Sequence, residues 1–296
     1  MAQDPTWLTF LKELWNWMIA FFKKLLAIQP VEEPSDPAVD ALLKEISKGV
    51  TGDATVILSQ SYLRALGFPI GNYGPNQNGV DGVYGSASQA SVKLFQSMVG
   101  LSNSGQLETG TLIRLKEKVY AHATVRDLAQ TAGSNGVNLP ITASSTRADF
   151  VNAVFYYALI DEAETAVPAG VTVAQAILES NYGKSVPVDR ATGRYSYNLF
   201  GIKGTGPAGT VQDYSWEENP TTGEWEQMLS QFKAYTSFAD SIKGHSQFLL
   251  ENKRYAQAFK TKNAQEFAKA IAAAGYATDS QYAAKLITLM EEWGMA

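Results

Sequence analysis

Residues 171–180 read VTVAQAILES, an apolar helical stretch that carries a single acid, Glu179, in its last turn. Asn181-Tyr182-Gly183 closes it. A carboxyl partly removed from water disfavours its charged form, which raises its pKa. The negative end of the helix dipole pushes the same way. A carboxylic acid that keeps its proton near neutral pH is a general acid, suited to protonating the oxygen of a glycosidic bond. From this segment alone, a surface glutamate that merely ends a helix reads the same.

Glycoside chemistry commonly needs a second carboxylate. Downstream, Val211 to Glu218 holds Asp213, Glu217 and Glu218, followed by a turn at Asn219-Pro220-Thr221-Thr222-Gly223 and then Glu224-Trp225-Glu226. This pattern predicts a hairpin, part of a small β-lobe from about Thr210 to Tyr235. Its tryptophans, Trp216 and Trp225, suit stacking on sugar faces or pinning the lobe equally well. Neither His122 nor His245 has the neighbours of a metal site, and there are no cysteines to supply thiolates or disulfides. No metal and no cofactor are expected. GIKGTGPAGT lacks the Gly-Lys-Ser/Thr ending of a phosphate loop.

The elements that position these residues follow from periodicity. Phe150, Val154, Tyr157, Ala158 and Ile160 have helical spacing, interrupted at Pro168-Ala169-Gly170 before the Glu179 helix. Upstream, Val56, Ile57, Leu58, Tyr62, Leu63 and Leu66 predict a helix stopped by Gly67. The loop GNYGPNQNGVDGVYG follows, with Gly82 and Gly85 read as positive-φ positions. Ala90, Val92, Leu94, Phe95 and Met98 predict a second helix ending at Gly100, and a third begins at Thr109. Residues 121–146, rich toward their end in Gly, Ser, Thr, Asn and Pro, read as a linker.

Two stretches resemble known families. Leu66-Gly67-Phe68, Asp81-Gly82-Val83-Tyr84-Gly85, Val92, Phe95-Gln96, Gly100-Leu101, Gly105 and Thr109 resemble the three-helix peptidoglycan-binding module. Tyr84 replaces the usual Phe of its DGxFG loop, Ser91 an Ala, and Ser104 an Asp. AQAILESNYGKS, Tyr197 to Lys203, Phe232 to Tyr235, Ser237 to Ile242, and Gly275-Tyr276-Ala277-Thr278-Asp279 with Tyr282-Ala283 resemble the glucosaminidase family of flagellar and autolysin-type cell-wall hydrolases. The combination is similar to modular phage endolysins.

The resemblance implies a mainly α (α+β) chain: a lysozyme-like catalytic domain with a small β-lobe, after a three-helix binding domain. It implies Glu179 as catalytic acid and Tyr276 as an aromatic near the scissile sugar. Asn198, Phe200 and Gly201 would line the cleft floor, with Tyr282 and Trp216 as further sugar contacts. The second acid falls on Glu217, with Glu218 and then Asp213 as alternatives. The implied activity is endo-β-N-acetylglucosaminidase hydrolysis of peptidoglycan. A lytic transglycosylase or muramidase on the same fold, and a non-enzymatic wall-binding component of a phage or surface assembly, are the alternatives.

Residues 6–28 carry Trp7, Trp15 and Trp17, half of the chain's six tryptophans, on an amphipathic pattern. Lys12, Glu13, Asn16, Lys23 and Lys24 break any membrane-spanning run. No positive charge precedes the apolar region and no small-residue cleavage site follows it before Pro30, so a cleaved signal is not expected. An N-terminal helix (1–29) that binds a membrane surface, a protein assembly or its own domains is expected. An acidic Pro-rich linker (30–40), the binding domain (41–120), the linker (121–146) and the catalytic domain (147–296) follow. The net charge of −5, with no domain-sized basic field, argues against nucleic acid. The expected place of action is the bacterial cell wall, extracytoplasmic or virion-associated.

Overall fold

The computed structural model describes residues 35–132, 141, 144–218 and 222–296, apart from the side chains of Glu217 and Glu218. Two compact units divide at Pro37, and the elements below belong to the second, 38–296, with α1 beginning at the boundary. The expected N-terminal helix, 1–29, lies outside the described residues. Among those described, no helix is long and apolar enough to cross a membrane.

Helix α1 (Pro37–Ile46) begins inside the stretch read as linker, with Val39 buried. Helix α2 (Ala54–Leu66) is capped by the Asp53 carboxylate at the Val56 amide and stopped by Gly67 in the left-handed region, as its sequence predicts. Helix α3 (Ser86–Met98) and α4 (Thr109–Tyr120) complete the three-helix module. Its loop is organised by Gln60. The Oε1 atom accepts from the amides of Asp81 and Gly82, and Nε2 donates to Asp81, Val83 O and Ser88. Gly82 has φ +74°, and a Cβ there would stand 2.8 Å from Thr51 O. Gly85 corrects the expectation for its φ. It sits at −86° as the N-cap of α3, a conformation any residue adopts.

Residues 121–146 contain a helix, α5 (Val125–Ala132), that composition alone reads as linker. Val125, Leu128 and Ala129 form one buried face, and that short periodicity outweighs the polar residues between. The Arg126 guanidinium pairs with Glu162 at 3.0 Å, linking α5 to α6 (Arg147–Thr165). Helix α6 opens with a full capping box between Thr146 and Asp149. The α3 helix lies against it, with Ser91 Oγ 3.3 Å from Asn152 Oδ1 and Lys93 3.4 Å from Asp149. One apolar cluster runs through Leu63, Phe68, Leu94 and Phe95 of the module into Phe150, Val154, Tyr156 and Ile177. The three-helix module and the C-terminal half thus share a core.

Helix α7 (Ala169–Ser180) is the centre of that half. Ala169, Val173, Ala176 and Ile177 join the shared cluster, while Val171 and Ala174 join a second one formed with Leu249, Phe267, Ile271, Tyr282 and Leu286. Strands β1 (Thr210–Glu218) and β2 (Trp225–Lys233) form an antiparallel hairpin in the predicted place, with Val211 and Phe232 over Ala234 as its small core. Helices α8 (Phe238–Glu251), α9 (Ala264–Ala273) and α10 (Tyr282–Glu292) close the chain.

A shared core makes unfolding cooperative across both halves. Calorimetry should record a single transition for residues 38–296, and Phe150→Ala should cost about 3–5 kcal/mol across that whole transition. Two transitions, only one of them shifted, would show the halves folding independently.

Candidate active site

Helix α7 is buried along its length and surfaces only in its last turn, at Leu178 and Glu179. Three successive residues then take left-handed backbone: Asn181 (φ 49°), Tyr182 (57°) and Gly183 (78°). Non-glycine residues adopt this region at a cost of about 1 kcal/mol or more each. Tyr182 is held there by edge contacts to Phe150 and Trp293 and by the Arg147 guanidinium over its ring at 4.8 Å. Ser180 Oγ accepts from the Gly183 amide at 2.8 Å, tightening the turn.

Glu179 is exposed as a residue, and the protein around its carboxyl removes part of the group's hydration. That loss of hydration raises its pKa above the ordinary value of 4.5, and a hydrogen bond from Tyr282 partly offsets the rise. The Tyr282 hydroxyl lies 3.1 Å from Oε1, and Gln175 Nε2 donates to the same hydroxyl at 2.9 Å. Tyr276 stacks on Tyr282 with ring centres 5.5 Å apart and planes at 19°. Burial above all pushes both phenols well above their usual range, followed by the Glu179 charge for Tyr276 and by Tyr276 and then Glu179 for Tyr282, so both stay protonated.

Tyr282, read from sequence as a sugar contact, is 3% exposed and spends its hydroxyl on Glu179. Tyr276 is half-buried and backed by His245, Phe248 and Tyr255. Asn198 is buried with its amide committed to backbone. Nδ2 donates to Ile202 O at 2.8 Å and Lys233 O at 3.0 Å, and Oδ1 accepts from the Phe200 and Ile202 amides. It ties the loop to the end of β2 rather than presenting a free group. Phe200 is 5% exposed and stacks on His245 at 4.0 Å. Gly201 is exposed at φ +60°, and an added Cβ would meet nothing within 4 Å. Of the three loop residues, it alone leaves open space for a ligand to approach.

On the hairpin, Glu217 stands opposite Glu226 and Glu218 opposite Trp225 in the register. Asp213 is committed to the protein. It accepts from the Val188 and Tyr214 amides and pairs with Arg190 at 2.5 Å. Partial burial pushes its pKa up, but these bonds outweigh it and leave the pKa below the usual range. Such an acid is a poor proton carrier near neutrality. Trp216 and Trp225 are 62% and 64% exposed, so neither pins the lobe. His245 is fully buried, and burial lowers its pKa to about 3, so it stays neutral. Among the described residues, no group of three or more His, Cys, Asp or Glu comes together as a metal site would require.

Gln175 was missed by sequence reasoning. Its signal was present: a polar residue inside an apolar helix, four before Glu179 and so on the same face.

A buried helix that brings one acid to the surface, with a β-hairpin following it in the chain, is the arrangement the sequence led us to expect of a lysozyme-like domain. Comparison with known proteins bears on the family. Residues 157–294 match the family described as mannosyl-glycoprotein endo-beta-N-acetylglucosaminidase. Residues 52–115 match the putative peptidoglycan binding domain. The chain is similar to the peptidoglycan hydrolase FlgJ of Escherichia coli (strain K12), 35% identical over 130 residues, which are 44% of this chain and 41% of that protein. It is also similar to the exo-glucosaminidase LytG of Bacillus subtilis (strain 168), 30% identical over 153 residues, 49% of this chain and 51% of that one. A solved structure of a C-terminally truncated glycoside hydrolase domain from Salmonella typhimurium FlgJ is 30% identical, with a TM-score of 0.43, covering 51% of this chain and 99% of that domain. The chain spans about half the length, or less, of these curated relatives.

An acid whose pKa is raised by folding contributes stability below its unfolded pKa, and that contribution is lost as pH rises through the folded one. Glu179→Gln removes the ionisation. The variant should therefore match the wild type in thermal midpoint near pH 4 and exceed it at pH 8. A midpoint below wild type at pH 8 would mean the ionised carboxylate is stabilised, against the loss of hydration described.

Proposed function

We propose that this protein is a peptidoglycan hydrolase, an endo-β-N-acetylglucosaminidase with Glu179 as its general acid. The observation that carries the reading is the partly desolvated Glu179 carboxyl at the end of a buried helix, within the segment that matches the glucosaminidase family. The bond between the anomeric carbon of N-acetylglucosamine and the glycosidic oxygen breaks, and its electron pair goes to that oxygen. Glu179 gives the oxygen its proton. A water oxygen then bonds to the anomeric carbon and returns a proton to the site. Glu217, or the acetamido oxygen of the substrate, supports the developing cation. Tyr276 and the open backbone at Gly201 border the sugar, and Trp216 offers an exposed face for stacking. The family match of residues 52–115 supports wall binding by the helical module. Residues 6–28 are proposed to add contact with a membrane surface, and the wall is the proposed place of action.

Digestion of purified walls with mass spectrometry of the products tests the reading. Reducing N-acetylglucosamine ends are expected. Anhydro-muramic ends would instead assign a lytic transglycosylase, and reducing muramic ends a muramidase. Glu179→Gln should lower kcat by about a hundred- to ten-thousand-fold. Undiminished lysis by that variant would leave a wall-binding role without this chemistry. Glu217→Gln should lose comparable activity if Glu217 is the second group, and much less if the acetamido group serves. A chain beginning at Ser35, which keeps α1 whole, should clear purified walls as the full chain does but lag on whole cells. Equal clearance of both would remove the membrane contact.

A further inference from the structure

We infer that Gln175 decides which oxygen of the Glu179 carboxyl carries the transferable proton. The inference deepens the reading of Glu179 as the acid and rests on it. Gln175 is fully buried in α7, one turn before Glu179. Its Nε2 donates to the Tyr282 hydroxyl at 2.9 Å, and that hydroxyl lies 3.1 Å from Glu179 Oε1. A phenol has one proton to give. With an N–H pointed at its oxygen from Gln175, Tyr282 cannot donate back along that line, so its proton goes to Oε1. An oxygen already accepting this bond is the poorer seat for the acid's own proton. The proton therefore resides on Oε2, which takes no hydrogen bond from any described residue and is left for the substrate.

The reverse orientation of the amide would undo this. Gln175 Oε1 facing Tyr282 would accept the phenol proton, and the phenol oxygen would then accept the proton of Glu179, holding it away from the sugar. In the structure Nε2, not Oε1, faces the phenol and donates to the Tyr282 hydroxyl at 2.9 Å. Oε1 is left buried without a partner among the described residues. The groups around the pair are the phenols of Tyr282, Tyr276, Tyr255 and Tyr235 and the neutral imidazole of His245. Tyr282 is the one side chain that bonds to the carboxyl among the described residues. Gln175 is thus a positioning residue, acting through Tyr282.

The test uses the full chain with carboxyl-labelled glutamate, following the Glu179 resonance by NMR as pH changes, with assignment from Glu179→Gln. In the volume-matched Gln175→Met, Tyr282 is free to accept from the protonated carboxyl. The titration midpoint should rise by about one pH unit. Tyr282→Phe should raise it too, and the double variant should go no further than the larger single change. In the wild type, the Gln175 amide protons should show cross-peaks to the Tyr282 ring, a measurement that needs no variant to fold. In wall digestion, the alkaline limb of kcat should move with the midpoint while KM holds. An unmoved midpoint, additive shifts, or amide protons facing away from the Tyr282 phenol overturns the role of Gln175. A wild-type chain that cleaves no glycan overturns the proposed function instead, because the titration reads the carboxyl without turnover.

Discussion

The site depends on a helix buried on every side that nevertheless ends at the surface. Helix α7 is clasped between two apolar clusters, so its axis and rotation are fixed by packing from both directions. The register of its last turn is fixed with them. Glu179 is where that rigid rod meets water, and its carboxyl inherits the rod's precision without a loop to hold it. The same clasp removes part of the carboxyl's hydration, so one packing arrangement sets both its position and its proton affinity.

Behind the acid, the protein keeps an unusual density of polar groups out of water. Gln175, Tyr235, Tyr276, Tyr282 and His245 cluster there, and Gln175 Oε1, the Tyr235 hydroxyl and both His245 nitrogens lack partners among the described residues. Apolar side chains would have filled this volume at lower cost. What the polar set supplies is direction: the Tyr282 hydroxyl, fixed by Gln175, meets one carboxyl oxygen and leaves the other free. Asn198 does the equivalent work in the loop, joining it to the root of β2 so that hairpin and helical body move as one at that point.

The helical module is joined to this frame rather than strung beside it. Leu94 and Phe95 belong to the same core as Phe150 and Tyr156, and α5 occupies part of the stretch between them. A flexible tether would raise local concentration but leave orientation free. A shared core fixes the angle between the helical module and the helix that carries Glu179.

Much of this was legible in the sequence. The apolar run VTVAQAILES, the hairpin with its turn at 219–223, and the Gly67 stop are local patterns, and local patterns are written in adjacent residues. Glu179 stood out because a lone acid in an apolar helix is a conflict visible on one line. The partners of that acid were decided elsewhere. Tyr282 lies 103 positions from Glu179 and 107 from Gln175, and no spacing rule joins them until α10 lies against α7. The motif holding Asn198 and Phe200 read as cleft floor, and it was packing that made both side chains buried. Composition called 121–146 a linker because it weighs residues without their partners, and α5 exists through the partners it finds. The order of residues determined the elements and the acid. The tertiary structure alone chose its neighbours, because a hydrogen bond or an apolar contact depends on distance in space and not along the chain.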